Sequence, residues 1–392
     1  MNRFILAGVA LATPSTILAQ EQVPADEMAR RIEALEALVD AMADDLDKAA
    51  ARDNEELVPN HGLDARAARV YSLPEGVSLG GYGEVVYDSF DGDSETDQFD
   101  LLRAVLYVGY KFDQNWVFNS EIEVEHGDEI YAEFAYIDYL HQESLNARAG
   151  LVLLPMGFVN RLHEPGSYLG ATRPLNESWV IPTTWRENGA GIYGKLEDFD
   201  YELYLVNGFD GSDFGGTSGL RGGRQKGSKA KAEDFAMVGS LEWKGSPGIV
   251  LGGSIYQGDA GQGGGAGALE TTIIEAHAEY RRGPIWARAL VSDASVDDRD
   301  AGDMDLGGWY AEIGYDLLGH DDRRSLYPYL RYESIDTDTG AVSLDGAPGV
   351  EDDVLSIGLH WQPHPQIVFK LQHSDYDDLD RDVTTLMMGY VF

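Results

Sequence analysis

The sequence contains no cysteine, so neither disulfides nor thiolate chemistry can contribute to its fold or function. After the N-terminus it also has no run approaching about twenty apolar residues, which excludes a transmembrane helix. Catalytic motifs of the GxSxG, HExxH and P-loop types are absent. We therefore expect no enzymatic activity, no cofactor and no metal site.

Positive charge is scarce as well. The chain has 29 Lys and Arg residues against 68 Asp and Glu residues, which gives a formal net charge of −39 at pH 7. Nucleic acids require a basic surface, so this balance excludes them as partners. Glycine (46 residues) and tyrosine (21 residues) are plentiful instead. A polar chain of this kind is expected of a membrane β-barrel, in which only alternate strand residues face lipid.

The N-terminus has the pattern of an export signal. A positive start at Met1-Asn-Arg3 precedes a short apolar run from Phe4 to Ala12, and Ile17-Leu-Ala19 is an acceptable small-residue cleavage site. The pattern predicts a secretory signal peptide over residues 1–19, with the mature chain starting near Gln20.

Residues 20–73 are predicted to form a periplasmic coiled coil followed by a linker. The apolar residues of the seam are spaced alternately four and three apart, over about three heptads. They are Met28, Ile32, Leu35, Val39, Met42, Leu46 and Ala49. A lone amphipathic helix remains an alternative. The core positions by themselves favour a dimer. The seam does not settle how many helices associate.

Residues 74–392 are predicted to form an all-β transmembrane barrel with about sixteen antiparallel strands, an even number as in bacterial outer-membrane barrels. The predicted strands are amphipathic segments near 77–89, 100–112, 115–126, 129–141, 145–154, 187–196, 200–208, 234–244, 248–257, 269–281, 284–293, 306–317, 325–335, 353–362, 365–375 and 383–392. In the final segment Leu386, Met388, Tyr390 and Phe392 lie on one side of a period-2 strand.

The breaks between these segments alternate in length. One set is short, for example 111–114, 142–144, 197–198 and 282–284, and the other is mostly long and acidic, with the longest breaks at 155–186 and 209–233. Short turns at one end and long loops at the other indicate the periplasmic and extracellular ends of an outer-membrane barrel. The basic, glycine-rich stretch 221–231 is predicted to be an exposed, flexible loop, although it could attract anions or lipopolysaccharide phosphates at the mouth.

The alternation also predicts which residues face the lumen. In the third segment Trp116, Phe118, Ile122 and Val124 oppose Asn119, Glu121, Glu123 and Glu125, and later segments repeat the pattern. A charge facing lipid near the midplane costs about 2–4 kcal/mol for Arg or Lys, so the polar face must point inward. A wide barrel with such a lining is predicted to be a water-filled channel.

One part of the chain resembles a known family. The stretches FNSEIEVEH (118–126), EFAYID (133–138), ARAGLVLLPMG (147–157), LHEP (162–165) and IPTTWRENG (181–189) are similar to the phosphate-selective porin O and P family. The resemblance implies a trimeric, sixteen-stranded barrel with an N-terminal periplasmic coiled coil. It also implies a third extracellular loop, here about 155–186, that folds into the pore.

The charged residues give a mixed prediction about selectivity. The phosphate-specific members use an arginine ladder and a lysine constriction, whereas the third loop here contains no lysine. The predicted pore-lining residues are Arg103, Glu121, Glu123, Arg148, Arg161, Arg173, Arg288, Arg331 and Lys370. Acidic and basic groups on opposing walls would create a transverse field, as expected of a general diffusion pore.

These observations predict an outer-membrane porin for passive diffusion of small hydrophilic solutes and ions, with weak cation preference and a pore narrowed by the third loop. The predicted partners are outer-membrane lipid, lipopolysaccharide and two further copies of the chain in a homotrimer. An anion- or phosphate-selective porin is the alternative, and it requires Arg103, Arg148, Arg161 and Arg173 to converge at one constriction. A structural or adhesive barrel is a further alternative.

Overall fold

The computed structural model describes Arg30 and residues 59–91, 95–216, 218–264, 269–298, 303–319, 324–337, 349–379 and 381–392. The predicted signal peptide and heptad seam lie outside these residues, Arg30 apart. The chain divides into two compact units, Met1–Glu56 and Leu57–Phe392, and the elements described below belong to the second.

The described residues form sixteen strands, each paired with its neighbours in sequence, in one closed antiparallel barrel. The strands are β1 (Gly76–Phe90), β2 (Gln98–Lys111), β3 (Trp116–Glu125), β4 (Glu129–Gln142), β5 (Leu145–Leu153), β6 (Arg186–Leu196), β7 (Phe199–Asn207), β8 (Phe235–Ser246), β9 (Ile249–Asp259), β10 (Leu269–Arg282), β11 (Ile285–Asp298), β12 (Met304–Tyr315), β13 (Ser325–Asp336), β14 (Glu351–His364), β15 (Ile367–Tyr376) and β16 (Val383–Val391). The predicted sixteen-stranded barrel is thereby confirmed.

Strands β1 and β16 close the ring. Tyr82 pairs with Val391 in an antiparallel register that continues to Phe90 and Val383. Beyond the last strand, the Phe392 amide donates to the Gly81 carbonyl at 2.9 Å and the Gly81 amide donates back to the Phe392 carbonyl at 3.1 Å. Closure leaves no unpaired sheet edge in the spanning region, which a bilayer requires.

The strands alternate between an apolar outer face and a polar inner face. On β14 the exposed side chains include Leu355, Ile357, Leu359 and Trp361. The intervening Ser356 and His360 are buried. Strand β15 follows the same rule, with Phe369 and Leu371 outside and Lys370 and Gln372 inside. This alternation confirms the predicted orientation of these side chains. It could be predicted because a period of two is a direct property of the strand backbone.

Aromatic side chains mark the two ends of the outer face. Many are exposed near one end, including Tyr110, Phe112, Trp116, Tyr139, Trp361, Phe369, Tyr390 and Phe392. Phe99 and Phe235 are exposed near the other. Such girdles are the outer-surface signature of a barrel that spans a membrane. No helix among the described residues is long and apolar enough to cross a bilayer.

The two ends of the barrel differ in their connections. The first end carries the turns 112–115, 143–144, 197–198, 247–248, 283–284, 316–324 and 365–366, and we call it the short-turn end. The other end, the long-loop end, carries loop L3 (residues 154–185) and loop L4 (residues 208–234). The predicted alternation of short turns and long loops is confirmed.

Three segments fill the interior. The inner segment, residues 59–73, precedes β1 and ends in the short helix α1 (Arg69–Ser72). Loop L3 contains the short helix α2 (Asn176–Trp179), and L4 contains two 3-10 turns, Gly211–Asp213 and Arg221–Gly223. The sequence predicts a periplasmic linker for residues 59–73, and in the structure these residues pack against inward-facing residues of the barrel wall.

An apolar cluster holds L3 and L4 together inside the barrel. Trp185 of L3 stacks on Phe209 of L4 with ring centroids 4.5 Å apart, and Tyr256 of the wall lies 4.9 Å from the same ring of Trp185. Phe214 and Phe158 are also buried in this cluster. Burial of these aromatic side chains fixes the loops because each removes a large apolar area from water.

Candidate functional site

The lumen is the candidate functional site, and every predicted pore-lining residue lies inside it. Those on inward strand faces are Arg103, Glu121, Glu123, Arg148, Arg288, Arg331 and Lys370. Arg161 and Arg173 belong to L3. All except Arg173, which is half-buried, are buried. The burial results from L3, L4 and the inner segment, which cover much of the wall that the sequence analysis predicted to be open to water.

The charged groups of the wall are paired along one wall rather than across the lumen. On β2, the Arg103 Nε atom lies 3.0 Å from Glu84 Oε2 on β1, and its Nη1 atom lies 3.4 Å from Glu123 Oε1 on β3. The charges of this set are thus paired within one wall, and a transverse field between opposing walls stays a prediction. A guanidinium group in a filled lumen loses its water and needs a carboxylate within contact distance.

The opposite wall repeats this arrangement. Arg288 Nε on β11 lies 2.5 Å from Glu279 Oε2 on β10. Arg331 Nε on β13 lies 2.8 Å from Glu333 Oε1 on the same strand and face. Register explains both pairs, because Glu279 is the cross-strand partner of Arg288 and residues two apart on one strand share a face.

Loop L3 crosses the lumen and descends toward the short-turn end. At its tip, the Tyr168 and Gly170 carbonyls accept hydrogen bonds from the Lys370 ammonium group at 2.9 and 2.8 Å. Leu169 packs with Trp286, Tyr327 and Tyr329 near the short-turn ends of β11 and β13. The family resemblance implied a third loop folded into the pore, and in the structure L3 packs against inward-facing residues of the barrel wall.

The returning half of L3 is attached to the β12 wall. The Glu177 carboxylate of α2 accepts hydrogen bonds from the Val159 amide at 2.7 Å and from the Tyr310 hydroxyl at 2.6 Å. Burial raises the pKa of Glu177 above its usual range. Gly157, with a φ of 63°, lies under this carboxylate, and a Cβ there would lie 2.4 Å from Glu177 Oε2. The loop therefore requires glycine at 157 for two independent reasons.

The descending half of L3 is attached to the β3, β7 and β8 walls. Arg161 bridges two carboxylates, with Nη1 2.8 Å from Glu202 Oε1 and Nη2 2.5 Å from Glu242 Oε1. His163 Nε2 lies 3.2 Å from Glu121 Oε1. Burial alone would lower the pKa of His163, but the Glu121 carboxylate raises it overall. Ion pairs with wall carboxylates therefore hold the descending half of L3.

The inner segment occupies the short-turn half of the lumen. Asp138 Oδ2 on β4 accepts a hydrogen bond from the Tyr71 hydroxyl at 2.7 Å, and the same carboxylate pairs with Arg148 Nε at 2.9 Å. Arg148 also donates to the His61 carbonyl at 3.2 Å. Burial and the Arg148 charge lower the pKa of the His61 imidazole to about 4. The sequence analysis missed this element because its apolar residues follow neither a strand nor a heptad period.

A group of four guanidinium groups lies where L3 and L4 meet. The group, which we call the basic cluster, consists of Arg173 of L3, Arg186 at the start of β6, and Arg221 and Arg224 of L4. The sequence analysis predicted that 221–231 is an exposed, flexible loop, and the structure corrects this for its first part. Arg221 and Arg224 turn inward and donate to the L3 backbone, because L4 folds over L3 at the apolar cluster.

The basic cluster converges on two successive L3 residues. The Thr183 carbonyl accepts from Arg224, and the Thr183 hydroxyl accepts from Arg173. The Thr184 carbonyl accepts from Arg186 at 2.9 Å. Burial and the neighbouring arginines lower the pKa of Arg224 to about 9, and burial and Arg173 lower that of Arg221 to about 10. Arg186 is paired with Glu133, its Nη1 atom lying 2.9 Å from Glu133 Oε1. The lowered pKa values show, by contrast, that Arg221 and Arg224 have too little negative charge around them.

The structure does not bring the four arginines of the phosphate-selective alternative to one point. Arg148 and Arg161 are held by separate carboxylates in the short-turn half. Arg173 belongs to the basic cluster and Arg103 lies close enough to it that both charges lower the pKa of Arg221. Among the described residues, no group of three or more His, Asp or Glu side chains is arranged to hold a metal ion.

A cavity of about 610 Å³ opens at the short-turn end beside the inner segment. Its lining combines Arg161, Glu202 and Glu242 with polar side chains at the short-turn end, including Gln114 and Gln142. The cavity joins this end of the lumen to the buried ion pairs that hold L3.

Comparison with known proteins agrees with this architecture. No family model matches the sequence. Solved structures with the same fold include an OmpT loop-deletion mutant of Vibrio cholerae (10% identity, TM-score 0.56, covering 82% of this chain and 100% of that one) and OmpF of Salmonella typhi (10% identity, TM-score 0.56, 81% and 98%). An anion-selective porin from Comamonas acidovorans has 11% identity and a TM-score of 0.52, covering 81% and 100%.

At such identities the solved structures show the fold alone, which is the sixteen-stranded barrel of outer-membrane porins. One sequence relative is much nearer. An uncharacterized protein of Aquifex aeolicus is 31% identical over 366 residues, which cover 85% of this chain and 84% of that protein. The chain belongs to the same family as this Aquifex aeolicus protein, and it has a porin-like barrel fold.

Proposed function

We propose that this barrel is an outer-membrane porin through which small hydrophilic solutes and ions diffuse passively. The observation that carries the proposal is the position of L3, which crosses a lumen lined by charged residues. The outer face of the barrel around it is apolar. In this arrangement Arg103, Glu121, Glu123, Arg148, Arg161, Arg173, Arg288, Arg331 and Lys370 belong to the wall and constriction of the path.

The proposal extends to placement and assembly. The short-turn end faces the periplasm and the long-loop end faces the exterior, where lipopolysaccharide surrounds the barrel. Residues 1–19 are a signal peptide, and the heptad seam within 20–73 is a coiled coil in the periplasm that joins three copies of the chain. The acidic excess of the sequence predicts a weak preference for cations.

Single-channel conductance in a planar bilayer, with the reversal potential measured across a salt gradient, tests this proposal. We expect closure in three steps and a small reversal potential of the sign that cation preference gives. A strong anion preference would contradict the selectivity. The absence of any conductance would contradict the channel itself and favour a structural or adhesive barrel.

The basic cluster favours a second candidate function, an anion-selective channel. The cluster combines the buried Arg186 with the half-buried Arg173, Arg221 and Arg224, and Arg221 and Arg224 have lowered pKa values that a bound anion would offset. The Nη2 atom of Arg173 is buried without a hydrogen-bond partner among the described residues, so it has a donor to offer. Phosphate carries acceptor oxygens suited to several such donors.

Phosphate block of the conductance separates the two candidates. If the basic cluster binds anions, phosphate reduces the current and the double variant Arg221→Gln/Arg224→Gln abolishes that block. Lys229→Gln is the matched control, because Lys229 is an exposed cation of the same loop. Absence of block in the unaltered protein, or a block that survives in the double variant, would exclude the anion-selective candidate.

A further inference from the structure

The inner segment rests in a groove of the wall that is shaped for it. Leu63, Ala67 and Val70 are all at most 3% exposed, although they precede the first strand. Gly109 of β2 faces Val70 so closely that a Cβ at this position would lie 2.7 Å from the Val70 side chain. A wall residue without a side chain at the point of closest approach indicates a fitted contact.

Polar contacts tie the backbone of the inner segment to two neighbouring wall strands. Lys111 Nζ on β2 donates to the Tyr71 carbonyl at 2.7 Å. Asn119 Nδ2 on β3 donates to the Ala67 carbonyl at 2.9 Å. Because the donors belong to the barrel and the acceptors to the inner segment, the wall supplies the hydrogen bonds that this irregular backbone lacks.

One carboxylate joins the inner segment to the tip of L3. Asp64 Oδ2 accepts from the Glu164 amide at 2.9 Å, and Asp64 Oδ1 accepts from the Ser167 hydroxyl at 2.6 Å. Asp64 is buried, with 3% of its surface exposed. The two bonded L3 residues flank Pro165, whose ring lies against Gly389 of β16. The carboxylate therefore acts next to the tip of L3, in the short-turn half of the barrel.

We propose that the inner segment is a second constriction element of the channel and that Asp64 is a positioning residue, which holds the tip of L3 against it. The narrowest part of the path is then formed by two pieces of chain that enter the lumen from opposite ends. Release of Asp64 lets them separate and widens the path. This inference rests on the proposed channel function.

Replacement of Asp64 is the first test. We expect Asp64→Ala to raise single-channel conductance severalfold and to admit larger polyethylene glycols into the pore, because both L3 bonds are lost. Glu75→Ala is the matched control, since Glu75 is an exposed carboxylate between the inner segment and β1. Conductance and size limit equal to those of the unaltered protein would overturn the inference while leaving the channel function intact.

A reversible tether gives the same test within one folded protein. The chain has no native cysteine, so Asp64→Cys/Ser167→Cys introduces the only thiols. We expect a disulfide to form, with low conductance while it is oxidised and high conductance after reduction. Failure of the pair to cross-link would overturn the inference, and so would conductance that does not change on reduction.

Thiol labelling separates failure of the inference from failure of the proposed function. Asn119→Cys places a thiol beneath the inner segment, and its reaction rate with a bulky charged reagent reports exposure without any current. We expect Asp64→Ala to increase that rate severalfold in this background, while Glu75→Ala leaves it unchanged. If neither variant nor parent conducts, the proposed function fails. The labelling rate then decides alone: an increase supports the role of Asp64, and no change overturns it.

Discussion

Asp138 shows how single residues make a filled lumen stable. Its carboxylate is fully buried and accepts hydrogen bonds from Arg148, from Tyr71 at 2.7 Å and from Tyr193 at 2.6 Å. The Arg148 guanidinium also lies 4.1 Å from the ring centre of Tyr136. A buried charge with this many partners loses little by leaving water, whereas removal of one partner leaves the others uncompensated.

We therefore expect Asp138→Ala to lower the free energy of unfolding by about 3–5 kcal/mol, because Arg148 then remains as an unpaired buried cation. Urea unfolding of the barrel in lipid vesicles, followed by tryptophan fluorescence, measures this change. The double variant Asp138→Ala/Arg148→Met is expected to recover part of the loss. Asp128→Ala, in the exposed turn between β3 and β4, is the control. An effect of Asp138→Ala no larger than the control would contradict the account.

At this scale the sequence predicts orientation but not partners. The period of two placed Arg103, Arg288 and Lys370 on the inner face, since strand geometry alone decides which face a residue takes. The partner of Arg161 could not be predicted in the same way. Glu242 is 81 residues away and meets it only because L3 enters the barrel. The basic stretch 221–231 was recognised, but the inward position of Arg221 and Arg224 could not be predicted, because their loop carries no periodic pattern.

At the scale of the element, the strands can be predicted from the sequence, whereas the paths of the loops cannot. All sixteen strands were predictable, because each must bury polar groups and expose apolar ones with a fixed period. The length of L3 predicted a functional loop, although its path depends on particular contacts such as Glu177 with Tyr310. The inner segment was not predictable, since its apolar residues fit a groove formed by distant strands.

The outer face of β14 gives a test of membrane depth. Ile357→Arg, in the middle of the strand, is expected to cost about 2–4 kcal/mol of unfolding free energy, because the cation faces the bilayer centre. Ile367→Arg, at the short-turn end of β15, is expected to cost only about 0–1 kcal/mol. Reversible unfolding in vesicles compares the two. Equal costs would show that Ile357 does not face the hydrocarbon core.

The attachment of L3 through Glu177 is a second property of an element that can be tested. Glu177→Ala leaves the buried Val159 amide without its acceptor, and such a group costs about 1–3 kcal/mol. We expect the loop to loosen, which limited proteolysis of the folded barrel detects as cleavage within 154–185. Glu129→Ala, at the exposed start of β4, is the control. Unchanged resistance of L3 to protease would mean that the apolar cluster alone holds the loop.

At the scale of the whole molecule, Asp64, Glu164, Glu177 and His163 respond to pH in the same direction, whereas His61, whose pKa burial lowers to about 4, responds in the opposite one. Burial raises the pKa of Asp64, of Glu164 and of Glu177, and the Asp64 charge raises that of Glu164 further. For His163, the Glu121 charge outweighs the effect of burial and raises the pKa. Each of these four groups therefore holds its proton more tightly in the folded lumen than in the unfolded chain.

Proton linkage fixes the sign of the effect. The three carboxyl groups lose stability as pH rises from their unfolded pKa values through the raised folded ones, and His163 contributes stability below about pH 6.5 that disappears as pH rises through its raised folded pKa. We expect the packed constriction to be more stable at about pH 5 than at about pH 8, with lower conductance at the acidic value. Conductance that falls as pH rises would contradict this linkage.

The variant Glu164→Gln/Glu177→Gln tests the origin of that pH dependence. Neither glutamine titrates, so we expect the slope of unfolding free energy against pH to flatten while the barrel remains folded. Asp305→Asn, on the outer face of β12, is the control for a carboxylate outside the lumen. A slope that persists in the double variant would assign the pH dependence to other groups.

Ring closure has a consequence for how fast the protein can assemble. Thr385 Oγ1 on β16 donates to Asp88 Oδ1 on β1 at 2.5 Å across a sequence separation of 297 residues. Contacts this distant in sequence form late and slowly, because the intervening chain must lose conformational entropy before the contacts contribute stabilising free energy. Until then β1 and β16 each present a row of unpaired amides and carbonyls, which hydrocarbon does not tolerate. The route into the bilayer must therefore either close the ring during insertion or keep both strand edges covered until they meet.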